Sequence, residues 1–182
     1  MKKVVLLVAS TILSSSIFAQ IYMAKSCEIS FFSKTSMKDI DATNKAAKPL
    51  LNTATGDVQI KIVMTAFVFP DAFMQEHFNE NYVESEKFPN CIFKGKVNEK
   101  IDYTKDGEYK ATVTGTIDMH GVKKDVTLDG TMTVKGTEIT MSTKFRIHIA
   151  DYSIKVPSLY VTTIAEDVDV KLNAVLEPYK KN

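Results

Sequence analysis

The chain is short of the residues that most chemistries need: three histidines, two cysteines and no tryptophan in 182 residues. His77, His120 and His148 each lack a second His or Cys at metal-ligand spacing, so no metal site is expected. There is no G-x-S-x-G elbow and no glycine-rich loop to cradle a phosphate. Glu84 and Glu86 sit in a polar stretch where solvation is the simpler reading. Glu76 beside His77 is a weak acid–base candidate, because adjacent residues on a helix point in different directions; His77 fits better as part of a half-buried helix face, and His120 as a turn residue. Neither an enzyme nor a cofactor is expected.

Charge of one sign is also missing. Lys and Arg number 23 against 22 Asp and Glu, a formal net charge of +1, which gives no electrostatic footprint for nucleic acid or an anionic membrane. Long apolar runs are absent as well. The longest, residues 4–16, is too short to span a bilayer. It follows Lys2 and Lys3 and ends in small residues around Ala19, the pattern of a secretory signal peptide over residues 1–19. Export to the periplasm or medium is therefore expected, with residues 20–182 as the mature domain and no integral membrane span. Loss of the two lysines takes the formal charge from +1 to −1. Lys25 and Ser26 before Cys27 do not suit a lipid attachment site. In an oxidising compartment Cys27 and Cys91 can either bridge or remain two small buried thiols.

What the chain has in quantity is alternation. Val58, Ile60, Ile62 and Met64 repeat with a period of two, as do Cys91, Phe93, Gly95 and Val97. The same holds for Tyr109 through Met119, Val126 through Val134, Ile139 through Ile149 and Val168 through Leu176. Residues 26–34, with Ile29, Phe31 and Ser33 on one face, and 37–44 add two earlier strands, although 44–48 could instead turn helically. Thr55-Gly56-Asp57, Asp106-Gly107, His120-Gly121 and Lys135-Gly136 punctuate them as turns. About eight antiparallel strands with one apolar and one charged face must pack on a second sheet or close on themselves. A closed barrel of that size is filled by its side chains or holds one small ligand. Gly95, Gly115 and Gly130 on the inner face suit sharp bending or a roomy interior.

Residues 70–95, PDAFMQEHFNENYVESEKFPNCIFKG, break the alternation. Phe73, Met74, His77, Phe78 and Tyr82 have helical spacing, Asp71 can cap the helix, and Pro89 returns the chain to an extended path. Taken one by one, Phe31, Phe67, Phe73, Met74, Phe78, Phe93, Met132, Met141 and Phe145 read as plain core. Together with Ile60, Ile62, Met64, Tyr82 and Val113 they would suit a deep apolar pocket.

The stretches FMQEHFNENYVESEKFPNCIFKG, GTIDMHGVKKDVTLDG, ADYSIKVP and ISFFSKTSMKDIDATN resemble the YceI-like family and cover nearly all of the mature chain in order. The resemblance implies an all-β, lipocalin-like, closed antiparallel up-and-down barrel with one amphipathic helix between strands. It also implies an exported protein holding an isoprenoid, quinone-like or fatty lipid in its bore, with Phe73, Met74, Phe78 and Tyr82 of the helix covering one side or mouth. Many members have a His where this chain has Thr35 and an Arg in the loop that here reads Asp151 to Lys155, so no head-group contact transfers. Cys27 and Cys91 stand where the family has small residues, which adds slightly to the case for a bridge without making it the preferred reading. Family members can pair, which leaves a homodimer open, although no patch in the sequence demands one. The competing reading is a ligand-free structural or stress-response protein with a filled barrel.

Overall fold

The computed structural model describes residues 21–34, 39–155 and 166–180; the expected signal peptide lies outside them. These residues form ten strands: β1 (Ile21–Ser33), β2 (Ile40–Asn44), β3 (Leu50–Asn52), β4 (Asp57–Val63), β5 (Phe67–Val68), β6 (Asn90–Val97), β7 (Gly107–Met119), β8 (Val122–Lys135), β9 (Glu138–His148) and β10 (Asp167–Pro178). Every pairing is antiparallel, in the order β10-β9-β8-β7-β6-β4-β3-β1-β2-β5, and β10 also pairs with β1. β3 takes the first residues of β1 and β2 takes its last, while β5 follows β4 after a 3-10 turn. β3 and β2 thus share one place in the wall, and the sheet closes as the eight-position barrel that the resemblance implied.

Turn chemistry sets the register. His120 and Gly121 have φ of 53° and 75°, and they join Met119 to Val122 in a two-residue hairpin. Positive φ at both central residues is the type I′ geometry, whose twist matches that of the flanking strands. Residues 44–48 do not turn helically. Asn44 is fully buried, and its side chain instead accepts from Ala46 N at 2.9 Å and donates to Val63 O at 2.9 Å. Gly115 faces Gly95 across β6 and β7, and a Cβ there would stand 2.3 Å from Lys94 O. The inner-face glycine therefore serves close backbone approach at a bend.

The helix is shorter than its apolar spacing suggested. α1 (Ala72–His77) runs into a π-helical turn at Phe78–Tyr82. Asp71 caps it as expected, its Oδ1 accepting from Phe73 N at 3.0 Å and Met74 N at 3.4 Å. Only Met74, Phe78 and Tyr82, spaced by four, pack on the barrel. Phe73 is 66% exposed and lays its ring on His77 at 4.2 Å. So narrow a stripe cannot include Phe73, which lies about 100° around the axis from Met74.

The end of the barrel built from the start of β1 and the end of β10 is solid. Tyr22, Leu51, Val97, Val134, Ile139 and Leu176 are buried there, with Leu51 and Leu176 fully sequestered. The apolar cavity of the interior lies toward the helix-bearing end.

The two cysteines are free and buried, so the bridge is corrected. Cys27 lies opposite Ala174 and Cys91 opposite Ile62. Their strands are three places apart in the wall, about 14 Å at the usual inter-strand spacing, whereas a disulfide needs Cα atoms within about 7 Å. Burial pushes the Cys91 thiol up to about 12 and the Cys27 thiol up to about 11. Native protein at pH 8 is therefore expected to show no fast-reacting thiol toward a chromogenic disulfide reagent, and two after denaturation without reductant. A native chain that yields none even when denatured would mean a bridge.

Candidate ligand-binding site

A cavity of about 230 Å3 occupies the helix-side part of the bore. β4 contributes Ile60 and Ile62 and the turn after it Met64, while Phe31, Phe93, Val113, Met132, Met141 and Phe145 project from β1, β6, β7, β8 and β9. Phe67 enters from β5, and Met74, Phe78 and Tyr82 reach in from the helix and its π turn. The alternation put the strand residues other than Phe67 on the inner face, and helical spacing grouped Met74, Phe78 and Tyr82. Phe73 alone among the expected contacts lies outside, for the reason given above.

Several lining residues were not anticipated as site residues. Phe69 continues the Phe67-x-Phe69 alternation into Pro70, and Leu128, Ile147 and Ile149 share the parity of residues already singled out. Their signal was present in the period of two. Ile154 lies in a loop with no such signal and is brought in by its turn. Among the described residues no charged side chain lines the cavity. One polar atom stands out: Ser33 Oγ is buried against the bore and has no hydrogen-bond partner among them.

Phe31, Phe67, Phe69 and Phe78 close the helix end. Phe78 meets the other three rings at centroid distances of 5.6, 5.7 and 5.0 Å, and Phe31 meets Phe67 and Phe69 at 5.4 and 5.7 Å. Edge and offset contacts of this kind add about 0.5–1.5 kcal/mol each beyond simple burial. They hold the short helix over the bore, where its own propensity would not.

Beside this cluster, His120 is more than a turn residue. Its side chain is 9% exposed. Nδ1 donates to Tyr152 O at 3.0 Å, Nε2 meets Glu84 Oε2 at 2.9 Å, and the Phe88 ring packs against the imidazole at 4.5 Å, tilted by 57°. Both ring nitrogens face acceptors, so a second proton must lie between Nε2 and Glu84 for both bonds to exist. Glu84 and His120 have positive φ, as does Ser153, next to Tyr152. Three backbone positions that ordinary side chains avoid thus meet in one network, and its bonds help to hold them there. This ties the loop after the helix, the β7–β8 hairpin and the 3-10 turn Ile149–Tyr152 into one unit. No cluster of His, Cys, Asp and Glu suitable for a metal occurs among the described residues.

A closed antiparallel barrel of this size is either filled by its side chains or has room for one small ligand, and here an apolar cavity remains under the helical cover. The family follows from sequence: the YceI-like domain matches residues 18–176, and the chain belongs to that family. Solved structures share the fold. A polyisoprenoid-binding domain from Saccharophagus degradans, described as implicated in plant cell wall breakdown, superposes with a TM-score of 0.75 at 15% identity, covering 87% of this chain and 98% of its own. BcnA of Burkholderia cenocepacia gives 0.69 at 19% identity, with 82% and 95% covered. The YceI protein of Campylobacter jejuni gives 0.55 at 21% identity, with 81% and 85% covered. No curated protein is a significant match.

The two phenylalanines of the helix give a direct check. Phe78→Ala is expected to lower unfolding free energy by about 3–5 kcal/mol in urea titrations, through lost area and a cavity. Phe73→Ala should stay within about 0.5 kcal/mol of the parent. Equal effects would mean that the helix packs with a different face.

Proposed function

We propose that this protein is an exported carrier that holds one long apolar chain, of an isoprenoid, quinone-like or fatty lipid, inside the barrel without altering it covalently. The observation that carries this reading is the bore itself: a cavity bounded by aliphatic and aromatic side chains with no charged group among its described lining. Apart from the Cys91 thiol, which burial pushes up to about 12, and a few hydroxyls, the described lining is apolar. It gains from burial, at about 25 cal/mol per Å2 of apolar area removed from water. A chain burying several hundred Å2 would gain on the order of 10 kcal/mol before ordering costs. The polyisoprenoid binding stated for the Saccharophagus degradans domain supports the same ligand class. The signal-like residues 1–19 support export to the periplasm or beyond.

Detergent-free protein purified from the periplasm of a Gram-negative host, analysed by native mass spectrometry and organic extraction, tests the reading. One apolar-chain lipid per protein is expected. A barrel that is empty as purified and stays empty after incubation with prenyl and fatty-acid probes would establish the filled, ligand-free alternative instead.

A further inference from the structure

The backbone ladder of the wall is interrupted at two places. Between β1 and β4, where β3 and β2 share one place, the buried Asn44, Ala47 and Pro49 fill the break, with Ala24 N donating to Pro49 O at 3.0 Å and Asn44 Nδ2 to Val63 O at 2.9 Å. The other interruption lies between β8 and β9. β8 pairs with β7 along its whole length and β9 pairs with β10 from Ile139 to His148. Between themselves β8 and β9 pair only over Gly130–Lys135 and Glu138–Thr143. Above that fork, residues 122–129 and 144–148 run on without a shared ladder. The fork has a chemical cause on each strand. Gly130 lets the strands approach so closely that a Cβ there would stand 2.6 Å from Ser142 O. One step further, Asp129 O accepts from the Thr143 hydroxyl at 2.6 Å, a side-chain bond at the point where the backbone ladder stops.

Exposure changes at the same point. Below the fork the inward residues Met132 and Met141 are 3% and 6% exposed. Above it Leu128, Val126, Phe145 and Ile147 are only partly buried, although they share that parity. Lys124, also of inward parity by its register with the buried Ile117, is exposed. Leu128 and Gly130 on one strand and Thr143, Phe145 and Ile147 on the other line the cavity, so the bore reaches the gap from both sides. The gap has a lintel: the 3-10 turn Ile149–Tyr152 leaves the top of β9 and is held to the β7–β8 hairpin by His120 through Tyr152 O and by Lys124 Nζ to Asp151 Oδ1 at 3.8 Å.

We propose that this gap between β8 and β9 is the side portal through which an apolar chain enters and leaves the bore, with the Ile149–Tyr152 turn as its upper frame. The proposal rests on reading the bore as the holder of such a chain. The other routes that the described residues frame are worse. The far end is packed solid by Leu51, Ile139 and Leu176. At the helix end four phenylalanine rings are in mutual contact and would have to part to admit a chain between them. At the gap no ladder has to break, and its inner rim is already apolar and half open. A chain sliding between the strands would meet Leu128, Phe145 and Ile147 on the inner rim and leave its polar end among the polar outer residues and water.

Thr127 and Arg146 point outward, and the β8–β9 register, if continued, would set them opposite each other across the gap; Asp125 and His148 form the next outward pair. Two double variants, Thr127→Cys with Arg146→Cys and Asp125→Cys with His148→Cys, allow the strands to be tied by a short reducible dithiol cross-linker while the buried native thiols stay unlabelled. Stopped-flow fluorescence then follows uptake and release of cis-parinaric acid, with reduced protein as the folding control. The tied forms are expected to load and unload about tenfold or more slowly than the reduced forms, to reach the same final stoichiometry, and to recover when the link is cleaved. Tied forms that exchange at the reduced rate would overturn the portal while leaving the carrier reading intact. Failure of the parent protein to take up the probe at all would overturn both.

Discussion

Everything in this molecule depends on the pairing of its first and last described strands. β1 meets β10 from Tyr22 with Pro178 to Phe32 with Asp169, across one bulge near Ala24 and Ser26. Without that seam the sheet would have two open edges and no inside. With it, the period-two alternation of each strand becomes a distinction between a dry bore and a charged exterior. A one-residue slip at the seam would turn a whole strand inside out, which is why the apolar pattern fixes the register so firmly.

The helix end is built by a different logic. A six-residue helix with a π turn has little stability of its own, and Asp71 satisfies only its first amides. Four phenylalanines from β1, β5, the segment after it and the π turn supply the rest. The His120–Glu84–Tyr152 network does the corresponding work for the loops around it, with polar contacts where the Phe cluster uses area. Buried polar bonds of this kind fix position as much as they stabilise, because an unmet partner costs about 1–3 kcal/mol.

The fold was largely legible in the sequence because each strand carries its own alternation and the turns their own chemistry, His120-Gly121 above all. The bore was legible for the same reason: residues such as Met132, Met141 and Phe145 declare their face by parity alone. The helix face was read too broadly. Apolar identity put Phe73 on it, but six residues leave one narrow stripe, and geometry chose Met74, Phe78 and Tyr82. The role of His120 could not be read, since its partners Glu84 and Tyr152 are 36 and 32 residues away and meet only through tertiary structure. Of the two readings open for the cysteines, buried thiols hold and the bridge does not, because position in a family pattern says nothing of the distance between strands. Nor could any strand's own sequence announce that β8 and β9 part above Gly130.

The solid floor has a consequence for selection. A tube closed at one end has a finite depth, and anything threaded into it is measured against that depth. A chain that is too long must leave methylenes in water, each forfeiting about 0.8 kcal/mol of burial, and one that is too short leaves wall surface uncovered. For a carrier of the kind proposed, Leu51, Ile139 and Leu176 would act as the stop of a gauge. The protein would then sort amphiphiles by the length of their tails.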